Sequence, residues 1–170
     1  EEYDGLYDPH IWFDVRLWSQ TINFVRDALI KADEKNKKYY TQNAAVYHQK
    51  LLQLEQDIRA QLVTVPESSR ILVTAHDEFA YFGHAYGFEV KGWQGMNTQA
   101  EAGTKDVQDL ADFIVTQKIP AIFVESSISD KQLKAVQKAV EAKGGSVVIG
   151  GSLFSDAMGV PGTETGTYEG

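Results

Sequence analysis

The sequence predicts an α/β fold, a long helix joined to a lobe built on a mostly parallel four-stranded sheet covered by helices. Three observations predict it. Tyr40, Ala44, Tyr47, Leu51, Leu54, Ile58 and Leu62 recur at helical spacing, which gives one long helix with a single narrow apolar face. Four short apolar runs, residues 71–74, 88–90, 121–124 and 146–149, read as strands. Helix-period segments separate these runs, and strands alternating with helices make βαβ units and a parallel sheet.

In chain order, residues 1–13 are turn-rich and aromatic, and Pro9 biases Asp8 towards an extended backbone. His10 therefore stands on a stiff stretch just before a helix. It reads either as a surface histidine of a helix-entry loop or as a ligand. Asp14 is a suitable N-cap, and Trp18, Ile22, Val25 and Leu29 form the stripe of the helix it opens. Residues 33–38 are a charged break. The long helix follows, roughly 35 Å at about 1.5 Å per residue, and Pro66 ends it. It reads as a coiled-coil arm or as a spine running along two lobes. His48 points off its stripe.

The lobe follows from Arg70. A short helix over 79–86 closes at Gly87, and residues 93–97 read as a loop. Val107, Leu110 and Ile114 mark a helix that stops before Pro120. Ser129 and Gln132 fit a capping box for the helix carrying Leu133, Val136 and Val140, which Gly144 and Gly145 terminate.

Composition narrows the function classes. A chain of 170 residues with 43% hydrophobic and 11% aromatic content can build a packed core. The net charge of -8 disfavours nucleic acid as a partner, because phosphates need a basic face. With no cysteine there are no disulfides, thiolate–zinc sites or thiol catalysis. No apolar run approaches the ~20 residues of a membrane span. Both ends read as cut from something longer, so the lack of a visible signal peptide does not argue for a cytoplasmic home.

The candidate chemistry lies at the strand ends. His76 follows the first apolar run, Glu125 closes the third, and Asp156 comes a few residues after the fourth. The carboxyl ends of parallel strands share one sheet edge, where ligand crevices form, so the three are expected on the same edge. Imidazole and carboxylate suit a first-row divalent ion. Each also has a plainer reading: His76 as a hydrogen-bonded histidine at a helix start, Asp156 as a turn or N-cap residue, Glu125 as a loop acid. Glu125 could also orient a histidine ligand. His84 reads as packed or partly exposed. A metal-dependent hydrolase using His76, Asp77, Glu78 and Glu125 is the rival reading, yet there is no HExxH, no GxSxG and no nucleophile beside a base. An adhesion or interaction module using the long helix is a third.

The stretches DPHIWFDVRLWS, ILVTAHDEFAYFGHAYGFEVKGWQGMNTQAEAG, IPAIFVESSIS and IGGSLFSDAMG resemble, in register and over almost the whole chain, the metal-binding solute-binding proteins of ABC importers, closest to the TroA-like zinc/manganese receptors. The resemblance implies two lobes joined by a spine helix and a non-enzymatic, extracytoplasmic receptor, periplasmic or lipid-anchored. Such a receptor captures Zn²⁺ or Mn²⁺ and passes it to a membrane permease. It implies His10, His76 and Asp156 as metal ligands, with a fourth, a histidine, upstream of Glu1. It also implies that residues 1–36 are a remnant of the amino-terminal lobe, 37–66 the spine and 67–170 the carboxyl-terminal lobe. No histidine-rich loop is present.

Overall fold

The computed structural model describes residues 2–3, 6–94, 103–125 and 130–170, and for residues 2, 3, 6, 76, 93, 94, 130 and 132 it describes the backbone alone. The chain divides into two compact units, Glu1–Pro66 with Glu169, and Glu67–Tyr168 with Gly170.

In the first unit, β1 (Glu2–Tyr3) pairs antiparallel with β2 (Leu6–Tyr7). A 3-10 turn over Ile11–Phe13 leads into α1 (Val15–Ala32). Asp14 caps α1 as expected: its carboxylate accepts the amides of Arg16 at 2.9 Å and Leu17 at 3.1 Å. The apolar stripe of α1 holds for only half its length. Trp18 and Ile22 are half-buried, but Val25 and Leu29 are 58% and 43% exposed, and the protected line moves to Arg26 and Ile30. Helices that cross at an angle touch along a line that drifts around each cylinder, so a stripe straight in sequence leaves the contact after two turns.

The long helix is α2 (Lys37–Leu62), 26 residues without a break. Each of the seven stripe residues from Tyr40 to Leu62 is buried or half-buried, with Leu51 fully enclosed. Helix α1 packs against it. One polar residue joins this face. Glu55, one turn after Leu51, is buried and takes Arg59 Nε at 2.6 Å, with Arg16 Nε of α1 at 3.8 Å. Two guanidinium groups offset the desolvation of one carboxylate there.

The second unit alternates as predicted: β3 (Ile71–His76), α3 (Ala80–Tyr86), β4 (Glu89–Gln94), α4 (Thr104–Gln117), β5 (Ala121–Glu125), α5 (Asp130–Ala142) and β6 (Val148–Leu153). Both strand pairings are parallel, β3 with β4 and β5 with β6. The expected single four-stranded ladder is not formed among the described residues. β3 and β5 lie next to each other, but the hydrogen-bonded sheets are two pairs. The second pair is also irregular in register.

That irregularity also corrects the last strand, expected at 146–149. From Ile122 to Val124 is two steps along β5, while their partners Ile149 and Ser152 are three steps apart. β6 therefore carries one extra residue at Gly150–Gly151, and a bulge carries the strand through glycines that read as its end. At Gly150 a Cβ would stand 2.8 Å from the Phe123 ring, so a larger residue would have to displace that side chain. β4 likewise runs on through Trp93 and Gln94, expected in a loop. The remainder of that loop, and Ser129 of the expected capping box, lie outside the described residues.

The core of this unit joins both strand pairs to α4 and α5. Val73, Leu110, Ala111, Ile114, Ile119, Ile122, Leu133, Val136, Val140 and Val147 form one buried cluster. The three periodic positions predicted for each of α4 and α5 lie in it or packed against it. Among the described residues, no helix is long and apolar enough to cross a membrane.

Candidate metal centre

In the second unit the chemistry gathers where three strands end. β3 stops at His76, the chain bends at Asp77, and Glu78 turns in before Phe79, which stands at the N-cap of α3. Glu78 is fully buried. Glu125, the last residue of β5, is 1% exposed, and Ser155, two residues beyond β6, is also buried. Asp156 follows and is exposed. A carboxylate oxygen of Glu78 lies within 4.8 Å of one of Asp156.

These groups act on one another. Burial pushes the Glu78 carboxyl up to about 9, helped by the negative charges of Glu125 and Asp156 and by a hydrogen bond with Glu125, while a hydrogen bond with Ser155 pulls the other way. Three acids at neighbouring strand ends cannot all be charged cheaply. At neutral pH, Glu78 keeps a proton unless a cation takes its place. The interactions of Glu78 with Glu125 and with Asp156 show that the carboxyl ends of β3, β5 and β6 lie near one another.

In the first unit, His10 is buried and held by Asp8. One oxygen, Asp8 Oδ1, accepts the His10 backbone amide at 2.9 Å and lies 2.6 Å from His10 Nδ1. Pro9 between them fixes its own φ, so the carboxylate and ring meet on a restricted backbone. The Trp12 ring stands edge-on to the imidazole, centroids 5.3 Å apart. A carboxylate against Nδ1 draws the ring proton to that nitrogen and leaves the Nε2 lone pair for a metal.

Among the residues predicted for the site, Glu125 and Asp156 are brought together through Glu78. β3, expected over 71–74, runs two residues further and ends at His76, whose side chain lies outside the described residues. His10 stands in the other unit, with Asp8 as its partner. His48 is half-buried on α2, and His84 is exposed on α3. Sequence reasoning gave no role to two participants, Asp8 and Ser155, and named Glu78 only among the acids of the rival hydrolase reading. Asp8 had a signal, because an Asx side chain bonds the amide two residues on. Glu78 had a weaker one, its place just past a strand end. Ser155 had none.

Comparison with known proteins places these features in context. The sequence profile of ZnuA, the periplasmic zinc-uptake complex component A, matches residues 1–170. The zinc-binding protein TroA of Treponema pallidum is 50% identical over 164 residues, covering 96% of this chain and 53% of TroA. The manganese-binding lipoprotein MntA of Bacillus subtilis is 46% identical over 164 residues, covering 96% of this chain and 54% of MntA. The solved structure of periplasmic zinc-binding TroA from Treponema pallidum superposes with a TM-score of 0.95 at 48% identity, covering 99% of this chain and 61% of that one. The chain spans about half the length of the curated relatives it matches.

Proposed function

We infer, for a chain that belongs to the ZnuA family of periplasmic zinc-uptake components, that it is part of an extracytoplasmic receptor that captures Zn²⁺ or Mn²⁺ for import. The ion is cargo, received outside the cytoplasmic membrane by a periplasmic or lipid-anchored protein and passed to the membrane subunit of an ABC permease. His10, His76 and Asp156 supply ligands, and Glu125 supports the site from behind. Residues 1–36 belong to an amino-terminal lobe, 37–66 to a spine, and 67–170 to a carboxyl-terminal lobe.

One observation carries this reading: the convergence of Glu78, Glu125 and Asp156 at the strand ends, immediately after His76. A cation is the natural occupant of an edge where acids otherwise hold a proton against their usual tendency. The Asp8–His10 pair is a second feature in its favour, with a ring nitrogen set for coordination. Imidazole with carboxylate suits zinc and manganese alike, and the relatives named for these two ions are both similar over nearly the whole chain. We read the chain as a binding protein and not as a hydrolase, since those relatives are named for metal binding.

The test is equilibrium titration of metal-stripped protein with Zn²⁺ and Mn²⁺. The expected result is saturable binding of one ion per chain, without turnover of ester or phosphoester substrates in the loaded protein. Absence of saturable binding would overturn the reading, and metal-dependent hydrolysis would replace it with the enzyme.

A further inference from the structure

Glu78 has no assigned part in the ligand set above, yet one of its carboxyl oxygens lies within 4.8 Å of one of Asp156. We infer, resting on the metal-receptor reading, that Glu78 is a further carboxylate of the ion site and helps determine which ion is held.

Geometry carries the assignment. Glu78 lies two residues after His76, across the bend at Asp77, so its backbone is fixed by the same strand end. Its side chain is fully buried, whereas Asp156 is exposed. Oxygens of the two carboxyls lie within 4.8 Å of each other. Two metal–oxygen bonds of about 2.0–2.2 Å span up to roughly 4.4 Å, so a contraction of a few tenths of an ångström lets one ion touch both. Glu125 and Ser155 interact with the same carboxyl and hold it in place. A divalent cation held by both carboxyls offsets the cost of placing negative charge in this enclosed position.

The chemistry then sets a direction. Imidazoles with one carboxylate make a compact nitrogen-rich set suited to four-coordinate zinc. Another carboxylate oxygen hardens the set and raises the coordination number, which favours manganese relative to zinc. Glu78 therefore moves the site towards Mn²⁺.

The test compares wild type with Glu78→Gln, which keeps the shape and hydrogen-bonding capacity but removes the charge. Zn²⁺ and Mn²⁺ affinities are measured by chelator competition, and Co²⁺ is used as a spectroscopic probe. In Glu78→Gln, Mn²⁺ affinity should fall at least ~10-fold, the loss second-shell changes reach at their lower bound, and Zn²⁺ affinity should fall less. The visible Co²⁺ bands should intensify as coordination number drops. Unchanged affinities, or equal losses for both ions with an unchanged Co²⁺ spectrum, would make Glu78 a packing residue and overturn the inference while leaving the receptor reading intact. A wild type that binds neither ion overturns both. Should Glu78→Gln fail to fold, Glu78→Asp carries the same test: the charge is kept one methylene short, so Mn²⁺ affinity and the Co²⁺ spectrum should both change, and no change in either overturns the inference.

Discussion

Asp8 Oδ1 lies 2.6 Å from Nδ1 of His10 and also accepts the His10 backbone amide at 2.9 Å. One oxygen thereby sets both the backbone turn and the ring tautomer. Removing it frees the imidazole to rotate and to place its proton on either nitrogen. Asp8→Ala should weaken Zn²⁺ and Mn²⁺ binding by about 10–100-fold, the range found when an orienting partner of a ligand is lost. Asp8→Asn, which keeps an acceptor oxygen, should lose less. Chelator-competition titration of both variants checks the order.

Gly83 sits in α3, where alanine would ordinarily stabilise a helix by about 1 kcal/mol. Here a Cβ would stand 2.7 Å from the carbonyl oxygen of Phe88 and 2.8 Å from Cγ2 of Val90. The carbonyl belongs to the backbone leading into β4 and cannot swing aside. Gly83→Ala should therefore destabilise the protein, by about 1–3 kcal/mol as for other overpacked sites. Urea unfolding of the metal-free protein measures it.

Glu78 makes stability depend on pH in a direction opposite to that of a salt-bridged acid. Its carboxyl is raised from 4.5 to about 9 in the fold, chiefly by burial. The folded state thus binds a proton that the unfolded chain has released. The stability contributed by this proton is complete below pH 4.5 and is lost progressively as pH rises towards about 9. Metal-free wild type should lose stability across that window by up to about 1.4 kcal/mol per pH unit relative to Glu78→Gln. Thermal or urea unfolding of the two proteins at several pH values gives the difference. Parallel pH profiles would show that Glu78 is ionised in the fold.

Much of this architecture was legible because the signals were periodic. The seven-residue stripe of α2 survives intact, and the Asp14 cap is where the sequence puts it. The strand–helix alternation was equally readable, and with it the position of His76 and Glu125 at strand ends. Features set by contact between distant segments were not. Val25 and Leu29 fit the α1 stripe but fall off the line of contact. Gly150 and Gly151 look like a stop, and only the Phe123 ring across the pair shows why a bulged strand tolerates them. The single ladder expected of four parallel strands became two pairs because pairing depends on registers that no strand encodes alone. At the site, Glu78 was read as one acid among several. Its burial against Glu125 and Ser155 exists only once three strand ends meet.

The central claim is that neutral histidines bind a divalent cation here, and its most direct test is metal titration as a function of pH. A histidine ligand competes with protons near its ordinary pKa of about 6.5, whereas an unperturbed carboxylate does so only at much lower pH. Isothermal titration of wild type, His76→Ala and His48→Ala with Zn²⁺ and Mn²⁺ between about pH 5.5 and about pH 7 separates the groups. Wild-type affinity should fall steeply as pH decreases, with a limiting slope of about two protons per ion from His10 and His76, and about one more where Glu78 gives up its proton to the ion. His76→Ala should bind more weakly with a smaller slope, and His48→Ala should match wild type. Equal affinity and slope for wild type and His76→Ala would contradict the account.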